Sequence, residues 1–287
     1  MNNNILFIYL FLIQFLSIWC DNYNEDNDWD VLVFTQRWPL TVCSQWIKEN
    51  SNHSCRLPDY EDIWTVHGIW PTKSGTRGPW NCDDTWKFNE SAVAPIESDL
   101  QEFWINIEKN TALTSLWEHE WKKHGTCAAV LPQLNNELKF FKQGLEWIKM
   151  FNMKSILLKY NIIPSLNGYE VENIFNSIKN VLNHDPVVQC VVDKESKETL
   201  ISEIQICFDR SFNLIDCDPV EKNFRKDGIL TDCSLKKKVF YPNKVLSLLN
   251  AETFDSDKKS SFDELLETRN YWISIYKTIK FLIWATI

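Results

Sequence analysis

The spacing of apolar positions along the chain changes twice, from strand-like to helical and back to strand-like. Residues 31–35 (Val-Leu-Val-Phe-Thr) are rich in β-branched and aromatic side chains and predict a strand. Residues 63–66 predict a short second strand that carries His67 at its end, with Gly68 turning the chain away. Residues 44–60, between the two strands, are polar and predict a loop.

Helical spacing dominates the middle of the chain. Apolar residues recur three or four positions apart, as on one face of a helix, in four segments. These segments are residues 96–107, 113–124, 138–160 and 174–182.

Strand-like composition returns after the last helical segment, in residues 187–192 and 200–208. Residues 208–217 predict a hairpin. Strands followed by helices and then by strands favour an α+β fold, in which helices pack on an antiparallel sheet. We expect one disulfide-linked domain of this class.

The densest set of chemically active side chains lies in residues 117–127 (Trp-Glu-His-Glu-Trp-Lys-Lys-His-Gly-Thr-Cys). As an α-helix with about 100° per residue, this segment turns four such side chains into an arc of about 140°. The four are His119, Glu120, Lys123 and His124. Trp117 and Trp121 lie beside the arc as anchors, and Gly125 is a candidate C′ stop.

A zinc site is the first alternative for a helix that carries histidine and glutamate. The metalloprotease motif needs two histidines four positions apart, on one face of the helix. His119 and His124 are five positions apart, and their rings would diverge by about 140° in an α-helix. The spacing therefore disfavours a zinc metallohydrolase and favours metal-free proton transfer by imidazoles.

A further histidine lies in residues 64–71 (Trp-Thr-Val-His-Gly-Ile-Trp-Pro). Together with residues 119–127, this segment resembles the two active-site segments of the T2 ribonuclease family of acid endoribonucleases. Ile69 departs slightly from the family's usual Leu. The family's opening strand is matched by Phe34, Gln36, Trp38, Pro39 and Cys43. The resemblance covers about residues 30–242.

The resemblance implies cleavage of single-stranded RNA by transphosphorylation, through a 2′,3′-cyclic phosphate and with no metal or other cofactor. In this family pattern His124 is the base and His67 is the acid. Lys123 and Glu120 would stabilise the transition state, and His119 would hold the phosphate.

Aromatic side chains suit single-stranded RNA, because bases stack on them. We expect Trp70 to take this role, whereas core packing is the competing explanation for both Trp70 and Trp80. His53 and His184 are interpreted as structural.

The amino terminus predicts a secreted protein. Residues 1–20 carry no charged side chain and are mostly apolar, and an acidic run follows at residues 21–28. This pattern predicts a signal peptide. The family resemblance implies that a ribonuclease domain follows it, over residues 21–242. A membrane anchor is the alternative, which the shortness of the apolar run disfavours. The expected location is secreted, or the lysosomal or endosomal lumen.

Eight cysteines follow Cys20, and an even count behind a signal peptide implies disulfides in an oxidising compartment. Sequence alone leaves the pairing open. The resemblance implies the pairs Cys43–Cys55, Cys82–Cys127, Cys190–Cys233 and Cys207–Cys217. Asn52 and Asn89 begin glycosylation sequons, and we expect both to be modified.

The formal net charge of −9 argues against a bulk nucleic-acid binder and is compatible with an enzyme that has a local cationic site. We expect RNA and not DNA as the substrate, and a monomer.

Residues 243–287 lie beyond the resemblance and form a C-terminal extension of unknown role. Its end, residues 271–287, is apolar but contains Lys277 and Lys280, so that it is marginal as a membrane span. The extension supports an alternative function, in which a secreted glycoprotein acts by binding a receptor or a membrane and its nuclease site is incidental.

Overall fold

The structure, a computed structural model, describes residues 28–245 except 60–61, 77, 166, 219 and 221–224, and it omits the side chains of residues 225 and 226. The predicted signal peptide and nearly all of the C-terminal extension lie outside the described residues.

Strands from both ends of the described chain form one central sheet. The strands of the described chain, inside and outside this sheet, are β1 (Val31–Arg37), β2 (Thr65–Thr72), β3 (Val187–Val192), β4 (Thr199–Asp209), β5 (Leu214–Ile215), β6 (Arg225–Lys226), β7 (Ile229–Leu230) and β8 (Val239–Phe240). The central sheet has six strands. Four of them are antiparallel neighbours in the order β2-β1-β4-β3, whereas β5 pairs antiparallel with β4 and β8 pairs parallel with β4. Strands β6 and β7 form a separate antiparallel pair.

The helices lie between β1 and β3 in sequence. They are α1 (Pro39–Glu49), α2 (Glu90–Val93), α3 (Glu97–Phe103), α4 (Ser115–Glu120), α5 (Thr126–Ala128), α6 (Glu137–Met150), α7 (Met153–Leu158) and α8 (Val171–Leu182). A 3₁₀ turn joins α2 to α3, and a π-helical turn, Trp121–Gly125, joins α4 to α5. This architecture confirms the predicted α+β class.

The main core lies between the sheet and helix α6. Trp147 of α6 stacks on Phe208 of β4 at 4.1 Å between ring centroids and meets Phe34 of β1 edge-on at 5.5 Å. Phe34 and Phe208 belong to the same face of the sheet, because side chains alternate along a strand. The opposite face, which carries Val33 and Gln205, is therefore left for the cleft described below.

The predicted loop over residues 44–60 was wrong at its start, because helix α1 continues to Glu49. Pro39 is the first helical residue, where its fixed φ favours a helix and its missing N–H costs nothing. The hydroxyl of Thr41 donates to the carbonyl of Ile201 at 2.7 Å. This contact with strand β4 helps to stabilise helix α1, whose polar second half had predicted a loop.

Three other elements also differ from the predictions. The second strand does not end before His67 but continues to Thr72. The single helix predicted over residues 138–160 is two helices, because the Asn152 side chain accepts the N–H of Ser155 and begins α7. The helix predicted over residues 96–107 ends at Phe103.

Four disulfides connect the elements, and their pairs are those that the resemblance implies. They are Cys43–Cys55, Cys82–Cys127, Cys190–Cys233 and Cys207–Cys217. Within the part of the chain that the structure describes, no helix has the length and apolar character needed to cross a membrane.

Candidate active site

Strand β2 contains a bulge, and His67 is the residue in it. Thr35 of β1 pairs with Gly68 of β2, and the next residue, Gln36, pairs with Val66. His67 is therefore an extra residue in β2 between the two pairs. A bulge redirects a side chain and is common next to active sites. His67 therefore reaches the cleft from inside strand β2. The sequence had predicted it at the end of a strand, which was wrong.

Gly68 does not turn the chain away; it lets two other groups approach the strand. A Cβ at this position would lie 2.1 Å from Oε2 of Glu120 and 2.2 Å from Nε1 of Trp70. Any side chain here would force Glu120 and Trp70 to move. Glycine is therefore required here for a close approach across the cleft.

The opposite wall of the cleft is the helical segment α4–α5, interrupted by its π-helical turn. A π turn bonds residues five apart, so that His119 and His124 point in more similar directions than the α-helical prediction allows. Gly125 is helical rather than a C′ stop. A Cβ on Gly125 would lie 2.3 Å from the ring of Trp121, which explains the glycine by packing.

Three contacts anchor this wall. The buried Trp117 donates its indole N–H to the carbonyl of Trp104 at 2.7 Å. The Cys82–Cys127 disulfide and the N–H of Asn81, which donates to the Lys123 carbonyl at 3.0 Å, join the preceding loop to the wall. The helical side chains thus face the sheet from a rigid support.

A cleft of about 350 Å³ lies between the two walls, and it brings together all six side chains predicted to act on the substrate. They are His67, Trp70, His119, Glu120, Lys123 and His124. The remaining lining residues are Val33, Thr72, Trp80, Gln189, Glu203, Gln205 and Val220.

Glu120 lies at the centre of this group and is only 1% exposed. Its Oε1 is 3.8 Å from Nε2 of His67 and 4.0 Å from Nε2 of His119, and its Oε2 accepts the indole N–H of Trp70 at 2.9 Å. Burial raises the pKa of the Glu120 carboxyl, although His67, the Trp70 hydrogen bond and nearby cations oppose the shift.

His67 has a carboxylate near each ring nitrogen. Its Nδ1 is 2.6 Å from Oε1 of Glu203, and its Nε2 faces Glu120. Burial favours the neutral ring, but the charge and hydrogen bond of Glu203, together with the charge of Glu120, outweigh it. The pKa of His67 is therefore raised above its ordinary value.

His124 is in the opposite situation. Its side chain is buried, and within the described residues its Nδ1 has no hydrogen-bond partner. Burial first, and then the positive charges of Lys123, His119 and His67, hold the pKa of His124 well below its ordinary value. His124 is thus neutral under conditions in which His67 is protonated.

His119 and Lys123 lie at the more open part of the helical wall. The His119 side chain is 57% exposed, and its pKa is lowered by partial burial and by the charges of Lys123 and His67. The Lys123 ammonium lies 5.7 Å from the centre of the Trp80 ring, in a cation–π geometry.

The two tryptophans of the cleft differ in exposure. Trp70 is partly buried, and its ring lies 5.5 Å from that of His124 with an angle of 34° between the planes. Trp80 is 52% exposed at the rim. Only Trp70 was predicted to contact the substrate, but Trp80 offers the more open aromatic face.

Sequence reasoning missed the polar residues that strands β3 and β4 add to the cleft. These are Gln189, Glu203 and Gln205. Glu203 and Gln205 are two positions apart in a strand whose other residues are mostly apolar, so they share a face. This alternation was the available signal, because polar residues on one face of a buried strand need partners.

The remaining candidate positions lie elsewhere. His53 stacks on Trp46, with 3.5 Å between ring centroids, and His184 lies 3.3 Å from Asp216. Among the described residues, the one cluster with the composition of a metal site is Cys190, Asp232 and Cys233, whose two sulfurs form a disulfide. Both glycosylation candidates, Asn52 and Asn89, are exposed.

Comparisons with known proteins agree in kind. A model of the Ribonuclease T2 family matches residues 29–217. Ribonuclease Oy of Magallana gigas is 38% identical over 219 residues, which cover 75% of this chain and 97% of that protein. Ribonuclease T2 of Sus scrofa is 33% identical over 219 residues, with coverage of 75% and 98%. The crystal structure of human RNase T2 is similar, with a TM-score of 0.61 and 31% identity, and covers 75% of this chain and 98% of that one.

Proposed function

The chain belongs to the ribonuclease T2 family, which supports endoribonuclease activity on RNA, and we propose that it cleaves single-stranded RNA by metal-independent transphosphorylation. The resemblance carried by the two histidine segments is confirmed at the level of the family. The mechanism and the residue roles below are the finer proposal.

The reaction uses a nucleophile that RNA itself carries. A base removes the proton of the 2′-OH, the oxygen attacks the adjacent phosphorus, and an acid protonates the leaving 5′-oxygen. The products are a 2′,3′-cyclic phosphate and a free 5′-hydroxyl. In the second step, water opens the cyclic phosphate to a 3′-phosphate.

One observation carries the assignment of roles: two imidazoles in one cleft have their pKa values moved in opposite directions. Such a pair of environments separates an acid from a base. His124, held neutral by burial, is the base. His67, held protonated by its carboxylate neighbours, is the acid.

The other cleft residues stabilise the phosphate. Lys123 places a positive charge where negative charge develops on the phosphorane, and the exposed His119 holds a phosphate oxygen. Oε1 of Glu120 lies near Nε2 of both His67 and His119, so that Glu120 orients the two rings and helps to stabilise the transition state. The Trp70 ring contacts a nucleobase of the RNA, and its indole N–H donates a hydrogen bond that holds Glu120 in place.

The proposed location is outside the cell, or in the lysosomal or endosomal lumen, because four disulfides are stable in an oxidising compartment. Glycans at the exposed Asn52 and Asn89 fit the same route. We propose that the protein acts as a monomer with RNA as its partner.

The test uses the full chain secreted from eukaryotic cells, with single-stranded RNA in EDTA at about pH 5. We expect products with 2′,3′-cyclic phosphate ends, detected by mass spectrometry, and we expect His67→Ala and His124→Ala to form them about 10³-fold more slowly. Activity that requires a divalent metal would overturn the mechanism. Intact RNA with a folded chain would instead favour the binding-protein alternative.

A further inference from the structure

Glu203 is a carboxylate in the central strand of the sheet that the two sequence motifs do not include. In β4 it lies opposite Arg37 of β1 and Gln189 of β3. Its side chain is only 16% exposed. A largely buried carboxylate is unfavourable unless it has partners, so its position next to the cleft requires a reason.

The geometry of His67 supplies that reason. Oε1 of Glu203 lies 2.6 Å from Nδ1 of His67, a short distance of the kind found in charge-assisted hydrogen bonds. The carbonyl of His67 accepts the indole N–H of Trp104 at 2.9 Å. Both the ring and the backbone of the bulge are therefore held.

The two nitrogens of the ring consequently have different tasks. With Nδ1–H donated to Glu203, the other nitrogen, Nε2, faces Glu120 and the cleft. The partner of one ring nitrogen decides which tautomer is present and where the other nitrogen points. Nε2 is thus the atom that can deliver a proton to a leaving group.

We propose that Glu203 is a positioning residue, which holds the His67 ring in the orientation and protonation state needed for a general acid. This inference rests on the proposed function of His67. Glu203 itself does not touch the reacting atoms; it acts through the imidazole.

Several other charged groups face His67 and enter any test of its titration. Glu120 from the helical wall raises its pKa, as Glu203 does, whereas Arg37 in β1 lowers it. His119 and His124 line the same cleft, and a positive charge on His67 lowers the pKa of each. A Glu203→Gln substitution removes one negative charge from this set and keeps the size of the side chain.

The first measurement does not depend on activity. The pKa of His67 is measured by NMR titration in two full-length variants, one with His124→Ala alone and one with both His124→Ala and Glu203→Gln. The shared His124→Ala change removes the proposed base. We expect Glu203→Gln to lower the pKa of His67. The matched control is Glu146→Gln, an equal charge change at an exposed residue of α6 that pairs with Lys142. An unchanged His67 pKa would overturn the proposal even if the enzyme is inactive.

The second measurement separates an acid from a base by the leaving group. A dinucleotide that the wild type cleaves is compared with a nucleoside 3′-(4-nitrophenyl phosphate), whose leaving group needs no proton. We expect Glu203→Gln to slow the dinucleotide about 100-fold and the nitrophenyl ester less than about 3-fold. The alkaline limb of the kcat/KM profile should move to lower pH, and Glu203→Asp should restore part of the rate.

Equal losses on the two substrates would show a structural role and overturn the proposal. If Glu203→Gln fails to fold, Glu203→Asp is used in both measurements, with smaller shifts in the same directions expected. If the wild type cleaves neither substrate, the proposed function fails, while the NMR titration still decides whether Glu203 controls His67.

Discussion

His67 on the sheet and His124 on the helical wall are the same residue type in one cleft, but their surroundings are opposite. His67 has carboxylates near both ring nitrogens, and its pKa is raised. His124 is buried beside positive charges, and its pKa is lowered. At His67, burial is outweighed by carboxylates from strand β4 and from the helical wall, whereas at His124 burial and nearby positive charges act in the same direction. The surroundings of each ring, rather than the residue type, thus support the proposed division into acid and base.

Removal of the proposed base, His124, should have the largest effect on activity. His124→Ala should lower the rate of RNA cleavage by about 10³-fold, because no other described group in the cleft is a buried neutral imidazole. Initial rates at saturating RNA measure the effect. His184→Ala, a change of the same type outside the cleft lining, should leave the rate within about 2-fold. A similar loss in both variants would contradict the assignment.

Each wall depends on one glycine, and alanine at the two positions should have different consequences. Gly68→Ala forces a side chain against Glu120 and Trp70, and we expect kcat to fall about 100-fold through misplacement of these groups. Gly125→Ala meets the core ring of Trp121 instead, and should cost about 1–3 kcal/mol of unfolding free energy. Kinetics and chemical denaturation on both variants separate the two effects, and a purely kinetic effect of Gly125→Ala would be unexpected.

Lys123→Gln tests how a positive charge on the helical wall affects the pKa of His124. Removing this cation raises the pKa of His124, so that the acid limb of the kcat/KM profile should move to higher pH. The maximal rate should also fall about 10-fold, because a positive charge near the phosphate is lost. Lys122→Gln is the control, since its side chain is exposed next in sequence and does not line the cleft. An unmoved acid limb would remove Lys123 from the neighbours that set this pKa.

The smallest effect is on stability, and its sign differs between the two histidines. The raised pKa of His67 adds stability below its unfolded value of about 6.5, and this is lost as pH rises through the folded pKa. The lowered pKa of His124 acts oppositely, because the unfolded chain takes up the proton first as pH falls below about 6.5.

His67→Gln should therefore cost more stability at about pH 5 than at about pH 8, and His124→Gln should cost less at about pH 5 than at about pH 8. Each pKa unit is worth about 1.4 kcal/mol, so urea denaturation at both pH values resolves the difference. The same sign for both variants would mean that the two environments are not opposed.

Local sequence was sufficient for much of this protein. The 3.6-residue spacing predicted the regions of helices α3, α4, α6, α7 and α8 but missed α1, and β-branched runs predicted strands β1, β3 and β4. The segments 64–71 and 117–127 identified the side chains that the cleft brings together, because motifs record residue types at short range. Even there, a regular helix was assumed, and the π turn that redirects His124 was not expected.

The tertiary structure decided what lies between those segments. Glu203 and His67 are 136 positions apart and meet because the strand order is β2-β1-β4-β3 with a bulge at His67. Composition and periodicity do not specify strand order, register or bulges, since these depend on pairing energies summed over the whole sheet. The two sequence segments therefore specify most of the titratable side chains that line the cleft. Only the tertiary structure sets the direction in which the pKa of each histidine moves, because a pKa depends on burial and on the charges that folding brings near the ring.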